Sequence, residues 1–140
     1  MLRRPLTSFL GAMFAAFMFG AAASDAQELE TVKPVFTHAI PNIPGKSLTA
    51  LQVNYPPGGR SPSHRHPKSA FIYAHVLTGA IRSQVDNEPA KVYRAGEGFY
   101  EVPGSHHRVS ENASQTEPAS LLAIFILDTP ENPLVIPDQK

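Results

Sequence analysis

His64-Arg65-His66 sets two imidazoles two residues apart, and Pro103-Gly104-Ser105-His106-His107 brings two more about forty residues later. On an extended strand, side chains at i and i+2 leave the same face, so His64 and His66 can converge on one point. Neutral imidazole is the commonest ligand for zinc, iron, copper or nickel. A third histidine from another strand would complete a donor set that leaves coordination positions open. Open positions mark catalytic metal centres, whereas structural zinc sites are closed. Neighbours on a strand face opposite ways, so only one of His106 and His107 enters such a site.

The elements that would have to position these side chains are strands. Turn signals recur roughly every 8 to 12 residues, among them Pro56-Pro57-Gly58-Gly59, Thr78-Gly79, Asp86-Asn87, Ala95-Gly96 and Pro103-Gly104. Between them lie short runs suited to strands: Val35–Ile40, Leu48–Tyr55, Phe71–Leu77, Ala80–Val85, Lys91–Tyr93, Phe99–Val102, Arg108–Ser110 and Leu121–Leu127. Short strands at this spacing predict an all-β sandwich or barrel. Fourteen prolines in 140 residues oppose extensive helix. The apolar run Leu121–Leu127 predicts a strand buried on both faces. The lead-in Gln27–Pro34 is expected to be loose, and the Pro-rich tail 129–140 to lie over the surface.

The first residues have another character. Arg3 and Arg4 precede an apolar stretch from Leu6 to Ala23, followed by Ser24-Asp25-Ala26-Gln27. A charged start, apolar middle and small residues before the break predict a signal peptide over residues 1–26, cleaved after Ala26, with Ala23 as the second site. Export to the periplasm or the medium follows; the alternative is an uncleaved membrane anchor. Removal of that segment leaves about 114 residues, one domain. The chain carries twelve Lys/Arg and twelve Asp/Glu, with no basic run, which gives no case for a nucleic-acid partner. It has no cysteine, so neither disulfides nor a thiolate nucleophile or ligand is available.

Two motifs in the chain resemble those of the cupin superfamily, small jelly-roll β-barrels that usually hold a metal inside. Gly58, five residues, His64-Arg65-His66 and the closing Gly79 match the first motif. Gly96, five residues, Val102-Pro103-Gly104, His107 and Asn112 match the second, with Pro103 and Asn112 each displaced by one place. The resemblance covers Leu48 to Leu127 and implies a single-domain jelly-roll barrel over residues 35–128. It also implies a metal centre on His64, His66 and His107, and a homodimer. It departs from the family at one ligand: the carboxylate expected four or five residues after His66 is replaced by Ala70 and Phe71, and counting back seven from Gly79 reaches Ile72. What remains is a three-His site, with Glu101 as the candidate to restore the missing charge.

Other polar residues have weaker claims. His75, inside a strand run, is a packed residue more readily than a ligand, although it is the next candidate after Glu101. His106, Tyr73 and Gln84 are expected to line the substrate space, and His38 to be structural. The ion implied is one divalent transition metal, Fe(II) first, with Mn, Ni, Cu or Zn as alternatives, since three imidazoles suit most of them. The function implied is that of a dioxygenase-like oxidoreductase acting on a small oxygen-rich compound. A non-catalytic exported module that binds a metal or small ligand is the competing reading.

Overall fold

The structure is a computed structural model that describes residues 29–139; the expected signal segment lies outside the described residues. Eleven strands follow in order: β1 (Thr31–Ala39), β2 (Lys46–Tyr55), β3 (Arg60–Ser61), β4 (His64–Arg65), β5 (Phe71–Thr78), β6 (Ala80–Val85), β7 (Lys91–Arg94), β8 (Gly98–Glu101), β9 (His106–Asn112), β10 (Ala119–Asp128) and β11 (Ile136–Pro137). None of the described residues is helical.

The strands form two antiparallel sheets. One has the order β1-β2-β10-β5-β8; the other runs β11-β4-β9-β6-β7, with β3 also paired to β9. Alternation along each strand sends one set of side chains between the sheets. Ile72, Ala74 and Val76 of β5 turn inward with Leu121, Ala123, Phe125 and Leu127 of β10, and they meet Tyr55, Ile81 and Phe99 in one core. Helix is excluded by the same pattern, because an apolar period of two cannot form one helical face.

Each of the eight sequence-derived spans overlaps a strand; Ala80–Val85 coincides with β6 and the others differ at one or both ends, whereas the two-residue strands β3, β4 and β11 have no counterpart among them. β1 begins at Thr31, inside the segment expected to be loose, and pairs with β2 along its length. The Leu121–Leu127 run is fully buried on its inner face only, because Leu122, Ile124 and Ile126 face outward and are half-buried. The tail is mostly exposed and is tied to the barrel at two places. Leu134 packs on the core, and β11 pairs with β4, Ile136 opposite Arg65 and Pro137 opposite His64. A proline-containing segment can take this place because it adds an edge strand, where a missing N–H is tolerated.

A bulge fixes the orientation of β9. Gln84 pairs with Val109 while Val85 pairs with His107, so Arg108 is the extra residue. Ser110 faces the core, and strict alternation would then point Arg108 inward. The bulge shifts the parity by one and turns His107 inward instead.

Gly79 closes the β5–β6 hairpin at φ 67°, and a Cβ there would stand 2.7 Å from the Pro118 carbonyl oxygen. Gly79→Ala is therefore expected to destabilise the barrel by roughly 1–3 kcal/mol, from left-handed strain and a contact with backbone that cannot yield. The midpoint of denaturant unfolding measures it.

Candidate metal centre

His64 and His66 flank an outward-pointing Arg65, and His64 pairs directly with His107 across β4 and β9. All three histidines are buried, and each offers a ring nitrogen within 4.8 Å of the others. Their orientation is set by backbone and by core packing. His64 Nδ1–H donates to the Pro62 carbonyl at 2.7 Å, and His66 Nδ1–H to the Leu134 carbonyl at 2.8 Å. A carbonyl only accepts, so each neutral ring carries its proton on Nδ1 and keeps an Nε2 lone pair for the cavity. The edges of Phe125 and Phe99 meet His66 and His107, with ring centroids 5.3 and 5.7 Å apart.

Glu101 completes the group. On β8 it pairs with Ile72 of β5, the residue reached by counting back from Gly79 to the missing carboxylate. The negative charge has moved one strand sideways and enters the same space. Its side chain is 2 % exposed, with Oε1 3.2 Å from His107 Nδ1 and Oε2 3.5 Å from His66 Nε2. Oε2 is buried without a hydrogen-bond partner. It faces the nitrogen on which neutral His66 has a lone pair, so two acceptors confront one another and call for a cation between them.

The electrostatics follow from this crowding. Burial would raise Glu101, but His107 and His66 outweigh it and hold the carboxyl at about 2. Burial would lower His66, and the facing Glu101 reverses that and raises it. His64 is pushed down to about 4, by burial first and by its histidine neighbours in addition, against the pull of the Pro62 carbonyl.

His107 has a second partner that the sequence reading missed. Ser83 Oγ lies 2.9 Å from its Nε2. A hydroxyl can donate or accept, so it permits either tautomer: Nδ1–H donating to Glu101, or Nε2–H donating to Ser83 with the Nδ1 lone pair open to the site. The signal was present, since Ser83 shares a face with the core residue Ile81.

The remaining candidates face away from the site. Gln84 lies on the opposite face of β6 from Ser83 and donates to the Glu88 carbonyl outside the barrel. Tyr73 and His75 project from β5 opposite to Ile72 and Ala74, with Tyr73 Oη 3.1 Å from His75 Nδ1. His106 points outward, where Nε2 meets Asp138 Oδ2 at 2.8 Å and Ser63 Oγ at 2.9 Å. None of the four lines the cavity beside the histidines. Strand alternation is the reason in each case. His38 lies on exposed β1, away from the site.

That cavity measures about 280 Å³. Its walls come from the inner faces of both sheets, with Leu51, Val53, Ile72 and Leu121 as the apolar lining and Glu101 with the histidines as its polar pole. The donor set fits a divalent transition metal, because three imidazoles and a carboxylate are what such ions accept and Glu101 Oε2 lacks a partner without one.

Barrel, motifs and buried histidines together define a cupin. The cupin domain family matches residues 51–125, and the chain belongs to it. Among solved structures it is similar to oxalate oxidase in complex with the substrate analogue glycolate, with 22 % identity over 84 % of this chain and a TM-score of 0.58. The chain spans 61 % of that protein's length. It is also similar to a double-stranded β-helix protein of Klebsiella pneumoniae, with 17 % identity, a TM-score of 0.61 and coverage of 81 % of this chain and 88 % of that one. KdgF of a Halomonas species matches at 17 % identity and a TM-score of 0.57, over 76 % and 86 % of the two chains. At such identities the likeness is one of fold. No curated protein matches the chain.

The metal-free protein is expected to lose stability on acidification in two stretches. His64 binds a proton below pH 6.5 when unfolded but only near 4 when folded, so its contribution, roughly 3 kcal/mol at most, disappears as pH falls across that window. Glu101 adds a further loss between about 4.5 and 2, where the unfolded state takes up the proton first. His66 acts oppositely: its contribution is complete below 6.5 and is lost as pH rises above that value. Melting curves of metal-free His64→Gln should show a shallower fall than the wild type between pH 6.5 and 4.

Proposed function

We propose that this chain is a metal-dependent cupin oxidoreductase of the dioxygenase-like kind, acting on a small oxygen-rich organic compound. His64, His66, His107 and Glu101 would hold one divalent transition metal, Fe(II) before Mn, Ni, Cu or Zn. The observation that carries this reading is the buried, unpartnered oxygen of Glu101 set against three imidazoles. A bound metal would supply Lewis acidity and open positions for a small oxygen-donor substrate.

The protein's own residues do the rest. Backbone carbonyls of Pro62 and Leu134 hold the tautomers of His64 and His66, and Ser83 accommodates either tautomer of His107. Glu101, an anion far below neutral pH, is a weak base, so it contributes charge and not proton transfer. The apolar walls keep bulk water from the polar pole. Glycolate in the related oxalate oxidase is a small oxygen ligand of the same general type.

Export and a homodimer belong to the same proposal. What supports export is the charged, then apolar, then small-residue pattern of residues 1–26. What supports a dimer is the outer face of the five-stranded sheet. A continuous row of apolar side chains crosses all five strands there, from Phe36 through Ala50, Ile124 and Tyr73 to Tyr100. Tyr100 is 64 % exposed and Phe36 52 %, and an apolar band of this width is what a second copy would cover.

Three outcomes test the proposal. Purified protein should contain close to one metal ion per chain by elemental analysis, and the His64→Ala/His66→Ala double variant should contain none. Iron-loaded protein should consume O₂ with a phenolic or diketone substrate; melting shifts without O₂ uptake would instead favour the non-catalytic binding module. Tyr100→Lys should lower the mass measured by light scattering from two chains to one while leaving metal content unchanged.

A further inference from the structure

We infer that the cavity selects a ligand that chelates as a monoanion and is otherwise hydrocarbon, and that it excludes small dianions such as oxalate. The inference deepens the metal-centre reading above and rests on it. It begins with what the cavity lacks: among the described residues, no Lys or Arg lines it.

The cations that stand nearest in sequence are turned away by strand geometry. Arg65 sits between two of the three histidines, yet it points out of the barrel, where a guanidinium nitrogen lies 3.4 Å from His106 Nδ1. Lys33 follows the cavity residue Val32 on β1, and alternation carries it to the other face. Arg60 is exposed on β3. The charged lining residues other than histidine are both acidic, Glu101 at the polar pole and Glu30 beside Ser61.

Charge balance then decides the ligand. A dication, three neutral imidazoles and one carboxylate leave a net charge of +1. A chelating enolate or singly ionised catechol brings the buried group to neutrality. A dianion leaves a net −1 inside walls of Leu51, Val53, Leu121 and Phe125, without a cation to pair with it, and an unpaired buried charge is costly. The same walls give a hydrocarbon body a place to lie out of water.

The entrance acts in the same direction. The exposed members of the lining are Val32, Pro62, Val135 and Pro137, and half-buried Glu30, hydrogen-bonded to Ser61, lies two residues before Val32. A single carboxylate beside an apolar rim repels an approaching dianion more than a neutral diketone that ionises only on binding. Tyr55 and Ser110, hydrogen-bonded to each other at 2.8 Å, add neutral polarity on the wall and no positive charge.

The test uses the full chain loaded with Zn(II), so that no turnover intrudes. Zinc retention is followed with a chromophoric chelator, and acetylacetone and oxalate are titrated calorimetrically. The ratio of the two affinities, divided by the same ratio for aqueous zinc, is expected to favour acetylacetone at least tenfold. Glu30→Gln should narrow that ratio, and Val53→Lys, which places an ammonium in the cavity, should shift it towards oxalate. Zinc uptake with a ratio equal to that in water, or favouring oxalate, overturns the selectivity and leaves the metal centre standing. Failure to take up zinc overturns both.

Discussion

A carboxylate with almost no access to water, and with one oxygen unbonded, is the constraint around which this barrel is organised. Burying an ionised group costs several kcal/mol unless opposite charge and hydrogen bonds compensate it. Glu101 receives one short contact from His107 and a longer one from His66. Three imidazoles and one anion, with lone pairs pointed at a common space, are unbalanced as they stand. A divalent cation among them resolves the imbalance, and a proton on His66 resolves it in part. The raised His66 and depressed Glu101 are two expressions of this one interaction.

The four side chains arrive by three devices. His64 and His66 rely on plain alternation along the β4 segment. His107 needs the bulge at Arg108, without which the inward place opposite Val85 would be lost. Glu101 comes from the neighbour of the strand on which the resemblance places a carboxylate, at the height of Ile72. The tail closes the arrangement, since Leu134 gives His66 its hydrogen-bond acceptor and β11 runs beside His64. The C-terminal segment is thus part of the site's scaffold, and a change there reaches the centre through one carbonyl.

Much of this was legible in the residues. Turn spacing located nearly every long strand, because Gly, Pro and Asn mark the hairpins and alternate apolar residues mark the strands between them. His64, His66 and His107 could be chosen from motif spacing alone. The side that each strand presents was harder to read. Phe71–Leu77 is apolar on both faces, so nothing in it says that Ile72 turns inward and Tyr73 outward. The parity of Glu101 could not be counted through the Pro103-Gly104 turn, and that of Gln84 against Ser83 depends on which face the barrel curls towards. The tail offered no alternation, because it is held by register with β4 and by side chains such as Asp138, which meets Ser63 and His106. Long-range pairing of that kind leaves no local pattern.

The central claim is that Glu101 and the three histidines form one metal centre, with the carboxylate supplying charge that the usual position no longer provides. The most direct measurement is the dissociation constant for Zn(II) in wild type and in Glu101→Gln, a substitution that keeps the shape and removes the charge, with circular dichroism confirming that the metal-free barrel remains folded. A loss of affinity of at least tenfold, about 1.4 kcal/mol, is the predicted result. Equal affinities in the two folded proteins would mean that the carboxylate takes no part in holding the metal, and would contradict the account.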